Sequence, residues 1–309
     1  MKLQEQFVKN VKLACGQEGE KWLKELPELL SYCESRWNLT IGFPYTLSYN
    51  YVAPAVRKDG SEVVVKLWLP EDGYKNERET LQTLKSKGIV NLIDHDQKRR
   101  ILILDKITPG HNLAKIQNDT EAVSIASEVL SRLGVKPEKC HLPSTREREK
   151  NLTKFYKKNP YGLGPISAGL ILEALQVFTY LNQSMSKRVV LHGDFHHYNI
   201  LQSGSSWTAI DPKGLVGEVE YDIIQYLLNC LPEEGKFKVI SRRIEIFIEK
   251  LGLNKERLLL WGFAHTVLAT CWTINKQSGD YNSTFYEGIY IFQKLYYDNF
   301  SRTIARRLN

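Results

Sequence analysis

His192-Gly193-Asp194-Phe195-His196-His197-Tyr198-Asn199 decides the reading of this chain, because it spaces an acid and an amide as H-x-D-x-x-x-x-N. A carboxylate displayed in such a loop can sit beside a hydroxyl, orient it and take its proton. An amide oxygen five residues later suits Mg2+, a hard cation that prefers oxygen. Trp207 to Asp211 then reads as an apolar strand that ends in Ile210-Asp211-Pro212, where Asp211 offers a second oxygen ligand. Metal ions held this way bridge phosphate oxygens and neutralise charge that develops during transfer.

Loop acid, amide, strand and second acid, in that order, form the pattern of a kinase catalytic loop, and the pattern predicts partners upstream. Lys66 lies in Val63-Val64-Val65-Lys66-Leu67, which resembles V-A-I-K and would reach the α- and β-phosphates of a nucleotide. An acid on the following helix should hold it in place. Glu77 is the candidate and Glu79 the alternative; two positions apart, they face different directions. Ile101 to Leu104 runs into Asp105-Lys106-Ile107, where a linker would offer backbone groups, those of Asp105 and Ile107 among them, to adenine. A G-x-G-x-x-G loop is missing, and Ser48 to Tyr51 is left as a phosphate-covering turn with less glycine. That absence, with no A-P-E after Asp211, argues against a protein kinase.

Further from the loop, the texture of the chain divides. Residues 1 to about 38 read as helical, with Trp22, Leu23, Leu26, Leu29 and Leu30 at helical spacing and Pro27 as a kink. Strands follow at 62–69 and 100–104, with a helix from Lys75 to Lys87 between them that Gly88 closes. Beyond Pro109-Gly110 the chain turns helical. Asp119 is the expected N-cap of a helix that Gly134 ends, Pro165 opens another, and later helices fall at 236–251, 255–277 and 285–300, the last with a Thr284–Glu287 capping box. Strands at 188–192, 199–202 and 207–211 interrupt them. The expected class is α+β and bilobal: residues 1–108 as a β-rich nucleotide-binding lobe with a helical extension, and 109–309 as a helical lobe with the catalytic loop and substrate site.

Composition sets limits. The 309 residues are 42% hydrophobic and 25% charged, as in an ordinary globular protein. The first ten residues lack the apolar core of a signal peptide, and no apolar run is long enough to span a bilayer. Five scattered cysteines without a C-x-x-C pair fit a reducing cytoplasm and no zinc site. The net charge of +7 raises nucleic acid as a partner. The densest basic stretch, Arg146 to Lys158, is interrupted by Glu147 and Glu149 and carries no nucleic-acid module, so a solvated face is expected. Neither membrane nor protein partner is implied.

Several stretches resemble the aminoglycoside phosphotransferases, in the branch of streptomycin 6-kinases and hydroxyurea phosphotransferases. Gly19-Glu20-Lys21-Trp22-Leu23 through Leu29, then Arg36-Trp37-Asn38-Leu39, resembles the N-terminal signature of that branch. Ser48-Tyr49-Asn50-Tyr51-Val52-Ala53-Pro54 is similar to its S-x-S-Y-V-A-P. Leu191 to Leu201 resembles L-H-G-D-L-H-H-G-N-V-L, departing at Phe195 and Tyr198. Ala209-Ile210-Asp211-Pro212-Lys213-Gly214-Leu215-Val216-Gly217-Glu218 looks like A-I-D-P-K-G-L-x-G-E. The resemblance implies a protein-kinase-like bilobal fold, ATP or GTP with Mg2+, Asp194 as proton acceptor, Asn199 and Asp211 on metal, and Lys66 on phosphates of a nucleotide held between the lobes. His197 and Lys213 match the pattern without an assigned role. Adjacent residues of an extended loop point opposite ways, which argues against His196 and His197 as a metal pair.

A guanidinium-bearing acceptor such as streptomycin calls for carboxylates. Glu218, Glu220, Asp222, Glu233, Glu234, Asp280 and Glu287 are the candidates, Asp222 being better read as a buttress of the catalytic loop. Trp261, His265 and Trp272 share one helix and either wall a pocket or fill a core. Three readings stand: a kinase of streptomycin or a related cationic aminoglycoside, a kinase of hydroxyurea or another small hydroxylated metabolite, and a silent nucleotide-binding module. Intact Lys66, Asp194, Asn199 and Asp211 speak against the last.

Overall fold

A computed structural model describes residues 3–138, 140–275 and 278–308. In chain order, the first elements are α1 (Glu5–Trp37), β1 (Leu39–Ile41), β2 (Tyr51–Arg57), β3 (Glu62–Leu67), α2 (Glu71–Thr83), β4 (Leu92–Asp96), β5 (Ile101–Asp105) and β6 (Pro109–Asn112). Then come α3 (Asp119–Leu133), α4 (Arg146–Lys158), β7 (Gly162–Leu163), β8 (Ile166–Ser167), α5 (Ala168–Gln183), β9 (Val189–Leu191), β10 (Ile200–Ser203), β11 (Ser206–Ala209) and β12 (Leu215–Gly217). The chain ends with α6 (Val219–Asp222), α7 (Ile224–Leu228), α8 (Lys236–Leu251), α9 (Lys255–Thr273), α10 (Ser283–Phe300) and α11 (Ile304–Leu308). Two compact units result: Met1–His111 with Leu201–Lys213, and Asn112–Ile200 with Gly214–Asn309. The segment 201–213 groups with the first unit, although the sequence reading put it in the second lobe. Among the described residues no helix is long and apolar enough to cross a membrane.

The first unit is built on a five-stranded sheet of order β1-β2-β3-β5-β4. Its β3 pairs antiparallel with β2 and β5, setting Lys66 opposite Val52 and Leu102. Side chains alternate along a strand. Val63, Val65 and Leu67 of β3 therefore join Ile101 and Ile103 of β5 in one core, which Phe7, Val11, Trp22, Leu26 and Leu30 of α1 cover. Lys66 lies on the opposite face, with α2. The break in α1 is at Gly16 (φ 55°, ψ −130°) and not at Pro27, which is accommodated within the helix. Helix α2 begins earlier than expected, after Pro70, and ends at Thr83, five residues short of Gly88. Strands β10 and β11 form the expected hairpin and share a sheet of order β11-β10-β6, so the break expected at Pro109-Gly110 is itself a strand.

The second unit packs around α9. Every residue from Leu258 to Cys271 is buried, the pattern of a helix with no solvent face. Trp261 and His265 are thereby core residues, with Tyr221 bonding to His265 Nδ1. Caps differ from expectation where a neighbour competes. Asn118, not Asp119, caps α3, accepting from Thr120 and Glu121 N–H, because Asp119 is bound to Arg243. Ser167 caps α5 in place of a start at Pro165, and Asn282 caps α10 while Glu287 pairs with Lys236. The expected helix 255–277 stops at Thr273, and its positions 276 and 277 lie outside the described residues. Strand β9 pairs with β12, joining Leu191 to Leu215 immediately before His192.

Candidate active site

In the first unit, one lysine ties two carboxylates together. Lys66 Nζ lies 2.7 Å from Glu77 Oε1 and 2.5 Å from Asp211 Oδ1. Lys66 and Glu77 are buried, while the Asp211 side chain keeps 32% of its surface. Glu77 rather than Glu79 is the partner, because two helix positions turn a side chain by about 200°. Burial pulls the Lys66 ammonium down, but Asp211 and Glu77 outweigh it and hold its pKa above the ordinary value. Burial pushes Asp211 up, yet Lys66 and Lys213 hold its carboxyl well below the usual range. Asp211 adopts φ 57°, a left-handed conformation that is costly outside glycine and is often found at functional sites.

Three neighbours had no assigned part. Lys213 Nζ lies 3.0 Å from each Asp211 oxygen. Trp68 Nε1 donates to Glu77 Oε2 at 2.5 Å, and the Trp68 ring stands 4.8 Å from Lys66 Nζ and 5.5 Å from Lys213 Nζ. Gly73 leaves room for the indole: a Cβ there would fall 2.3 Å from Trp68 Cζ3. A tryptophan two residues after the strand lysine was the available signal, since an indole N–H needs a partner when buried.

In the second unit, the catalytic loop hangs from Asp222. Its Oδ2 accepts the His192 N–H and its Oδ1 the Gly193 N–H, both at 2.7 Å. Gly193 has φ 81°, and this left-handed turn aims two successive N–H groups at one carboxylate. Asp222 is therefore the buttress that the sequence suggested. Asn199 Nδ2 donates to the Asp194 carbonyl at 3.0 Å, which fixes the amide flip and leaves its Oδ1 as the atom to offer a cation. The Asp194 carboxylate is partly exposed, with His196 Nε2 at 3.7 Å from its Oδ1. Asn199 Oδ1 in this unit, and the Asp211 carboxylate in the first, are each the kind of oxygen donor that Mg2+ takes, an ion that uses few protein ligands and completes its shell with phosphate and water.

His197 points the other way, as expected for adjacent loop residues. It stacks on Tyr226 at 3.9 Å between centroids. Burial, reinforced by the positive charge of Arg243, pushes its pKa down to about 3, so the ring is neutral. Phe195 packs on the same Tyr226, 6.2 Å away. Arg243 locks that support: it is buried, ion-paired with Asp119 at 2.6 Å, and donates to the carbonyls of Tyr226, Leu227, Asn229 and Cys230. Nothing in the sequence marks Arg243, because its partners lie 13 to 124 residues away.

A cavity of about 450 Å³ opens beside this loop, lined by Asn229, Cys230, Glu233, Lys236, Asn282 and Phe285 among others. The carbonyls of Asn229 and Cys230 hold Arg243, which stands 5.5 Å from the Tyr226 ring on which His197 stacks, so the wall of the cavity is tied to the catalytic loop. Of the acidic candidates, Glu233 lines it. Glu218 is instead bound to Arg257 and Trp261, Glu220 accepts the Asn254 N–H, and Glu287 pairs with Lys236. In the first unit, Asp105 ends β5 with its carboxylate held by Asn91 at 2.7 Å, and Ile107 follows it, partly buried.

Residues 41–277 match the family described as aminoglycoside/hydroxyurea antibiotic resistance kinase. The streptomycin 6-kinase of Streptomyces glaucescens is 26% identical over 289 residues, which cover 86% of this chain and 88% of that protein. A choline/ethanolamine kinase family protein from Mesorhizobium loti superposes with a TM-score of 0.67 at 14% identity, over 92% of this chain and 98% of the other. A thermostable mutant of an aminoglycoside phosphotransferase, solved as a ternary complex with ADP and hygromycin B, gives 0.57 at 12% identity, over 89% and 99%. These two structures establish the fold as protein-kinase-like, a sheet-rich first part and a helical second. The family match spans most of the chain, and on that ground this protein belongs to the aminoglycoside/hydroxyurea antibiotic resistance kinases and is a small-molecule phosphotransferase.

Proposed function

We propose that the chain transfers the γ-phosphate of ATP to a hydroxyl of streptomycin or a related aminoglycoside. The observation that carries the nucleotide half is the buried Lys66–Glu77 pair at 2.7 Å, joined to Asp211. The first unit is the nucleotide-binding lobe, with Lys66 on phosphate oxygens and the backbone at Asp105 and Ile107 on the base. The second unit takes the acceptor. Asp194 orients the acceptor hydroxyl and receives its proton as the new O–P bond forms and the bond from the γ-phosphorus to the departing ADP oxygen breaks. Asn199 and Asp211 are the ligands for Mg2+, which when bound neutralises phosphate charge. The fold relative that carries ADP with hygromycin B supports this division by analogy.

Glu233 on the cavity wall favours a cationic acceptor. Lys236 on the same wall favours a second reading, a less strongly charged hydroxylated metabolite or hydroxyurea. ATP consumption with Mg2+ should be measured against streptomycin, other aminoglycosides, hydroxyurea and small polyols, with Asp194→Ala as control. Turnover on streptomycin that falls by about three orders of magnitude or more in the variant is expected, as for loss of a general base plus its orienting role. Near wild-type turnover in Asp194→Ala would remove Asp194 from the chemistry. Turnover on another panel member alone would select the second reading, and nucleotide binding without turnover on any member would make the chain a silent binding module.

A further inference from the structure

We infer that Lys213 is a built-in competitor for the Asp211 carboxylate, holding its lone pairs until a divalent cation displaces the ammonium. The inference rests on Asp211 being a metal ligand. Lys213 Nζ straddles that carboxylate at 3.0 Å from each oxygen. The contact is made by residues two apart, and it exists because Asp211 takes φ 57° before Pro212, folding the chain back over its own carboxylate.

Two ammonium groups share Asp211, and they are not equivalent. Lys66 is buried and pinned between Glu77 and Asp211, at 2.7 and 2.5 Å. Lys213 keeps 37% of its side-chain surface, with the Trp68 ring 5.5 Å from its ammonium. Lys213 is therefore the group free to yield. Mg2+ binds oxygen at about 2.1 Å, so it cannot share a lone pair with an ammonium at hydrogen-bonding distance. Charge leads to the same place. Lys66, Lys213, Glu77 and Asp211 sum to zero. A divalent cation added with Lys213 in place would crowd three cationic groups on one carboxylate, and each close like-charge pair costs several kcal/mol at an effective dielectric near 20. Once released, the Lys213 ammonium is available to phosphate oxygens, which need cations.

The test is a titration of Mn2+ alone into the full chain, followed by water-proton relaxation, for wild type, Lys213→Met, Lys213→Gln, Lys213→Arg and Asp211→Asn. Both neutral variants should bind Mn2+ about tenfold more tightly than wild type, given the repulsion removed. Lys213→Arg should stay near wild type, and Asp211→Asn should lose the site. Unchanged or weaker Mn2+ binding in the neutral variants, with the site lost in Asp211→Asn, overturns the role of Lys213 alone. Retained binding in Asp211→Asn overturns it together with the metal role of Asp211. Two neutral side chains guard against one variant failing to fold.

Discussion

Asp222 shows how one side chain is tuned by its surroundings. Burial pushes its carboxyl up to about 7, and the charge of Asp194 adds to this, against the N–H groups of Gly193 and His192 that favour the ionised form. An unfolded aspartate titrates near ~3.9. Between those values the folded chain holds a proton that the unfolded chain has released, so the stabilising contribution is full below about pH 4 and is lost as pH rises through about 7. Asp222→Asn makes the group permanently neutral. The difference in thermal midpoint between wild type and this variant should move in favour of wild type on acidification from about pH 8 to about pH 5. His197 and His265, both pushed down to about 3, lose stability on acidification equally in the two proteins and cancel. A difference independent of pH would return Asp222 to the ordinary carboxylate range. At this scale the sequence was most legible where partners are local. The spacing from His192 to Asn199 lies within one loop, and β3 alternation with an acid on the next helix narrowed the Lys66 partner to Glu77 or Glu79. Lys213 went unassigned because its position depends on a backbone angle at Asp211, which composition does not announce.

Elements were legible as types and less so at their ends, where tertiary partners compete. Asp119 has cap chemistry, but Arg243 claims it and the cap passes to Asn118. Pro27 is the residue that should break α1, yet the break falls at Gly16, where a positive φ costs least. The early start of α2 matters most, because it brings Gly73 under Trp68. In an exposed helix, replacing glycine with alanine gains up to about 1 kcal/mol. Here the added Cβ would meet Trp68 Cζ3 at 2.3 Å and Cε3 at 2.7 Å, atoms of a rigid ring. Overpacking of this kind costs about 1–3 kcal/mol, so the sign should reverse. Gly73→Ala is expected to lower the thermal midpoint and, by moving the indole off Glu77, to weaken ATP binding severalfold in calorimetry. A gain in stability with unchanged ATP affinity would show that Trp68 does not hold the lysine partner.

At the level of the whole molecule, the chain passes from one unit to the other three times, after His111, Ile200 and Lys213. The short return segment supplies β10 and β11 to the sheet that holds β6, and it delivers Asp211 to Lys66. A fragment ending at His111 therefore lacks two strands and two members of the lysine–carboxylate cluster, Asp211 and Lys213. It should show no cooperative unfolding transition by circular dichroism and no nucleotide binding, and a sharp two-state melt would contradict the assignment of 201–213 to that unit. The sequence could not reveal this threading, since both strands read equally well as part of a helical lobe.

Those three passages also bear on ancestry. A single genetic crossover after codon 111 would exchange Asp211 and Lys213 for those of another lineage while leaving Lys66, Trp68 and Glu77 behind. Any hybrid gene must then match a tryptophan, a glutamate and two lysines bred apart around one carboxylate. With the acceptor placed in the second unit as proposed, new acceptor preferences in such a lineage should accumulate by point changes within that unit, because shuffling of whole halves is penalised by the way the polypeptide is threaded.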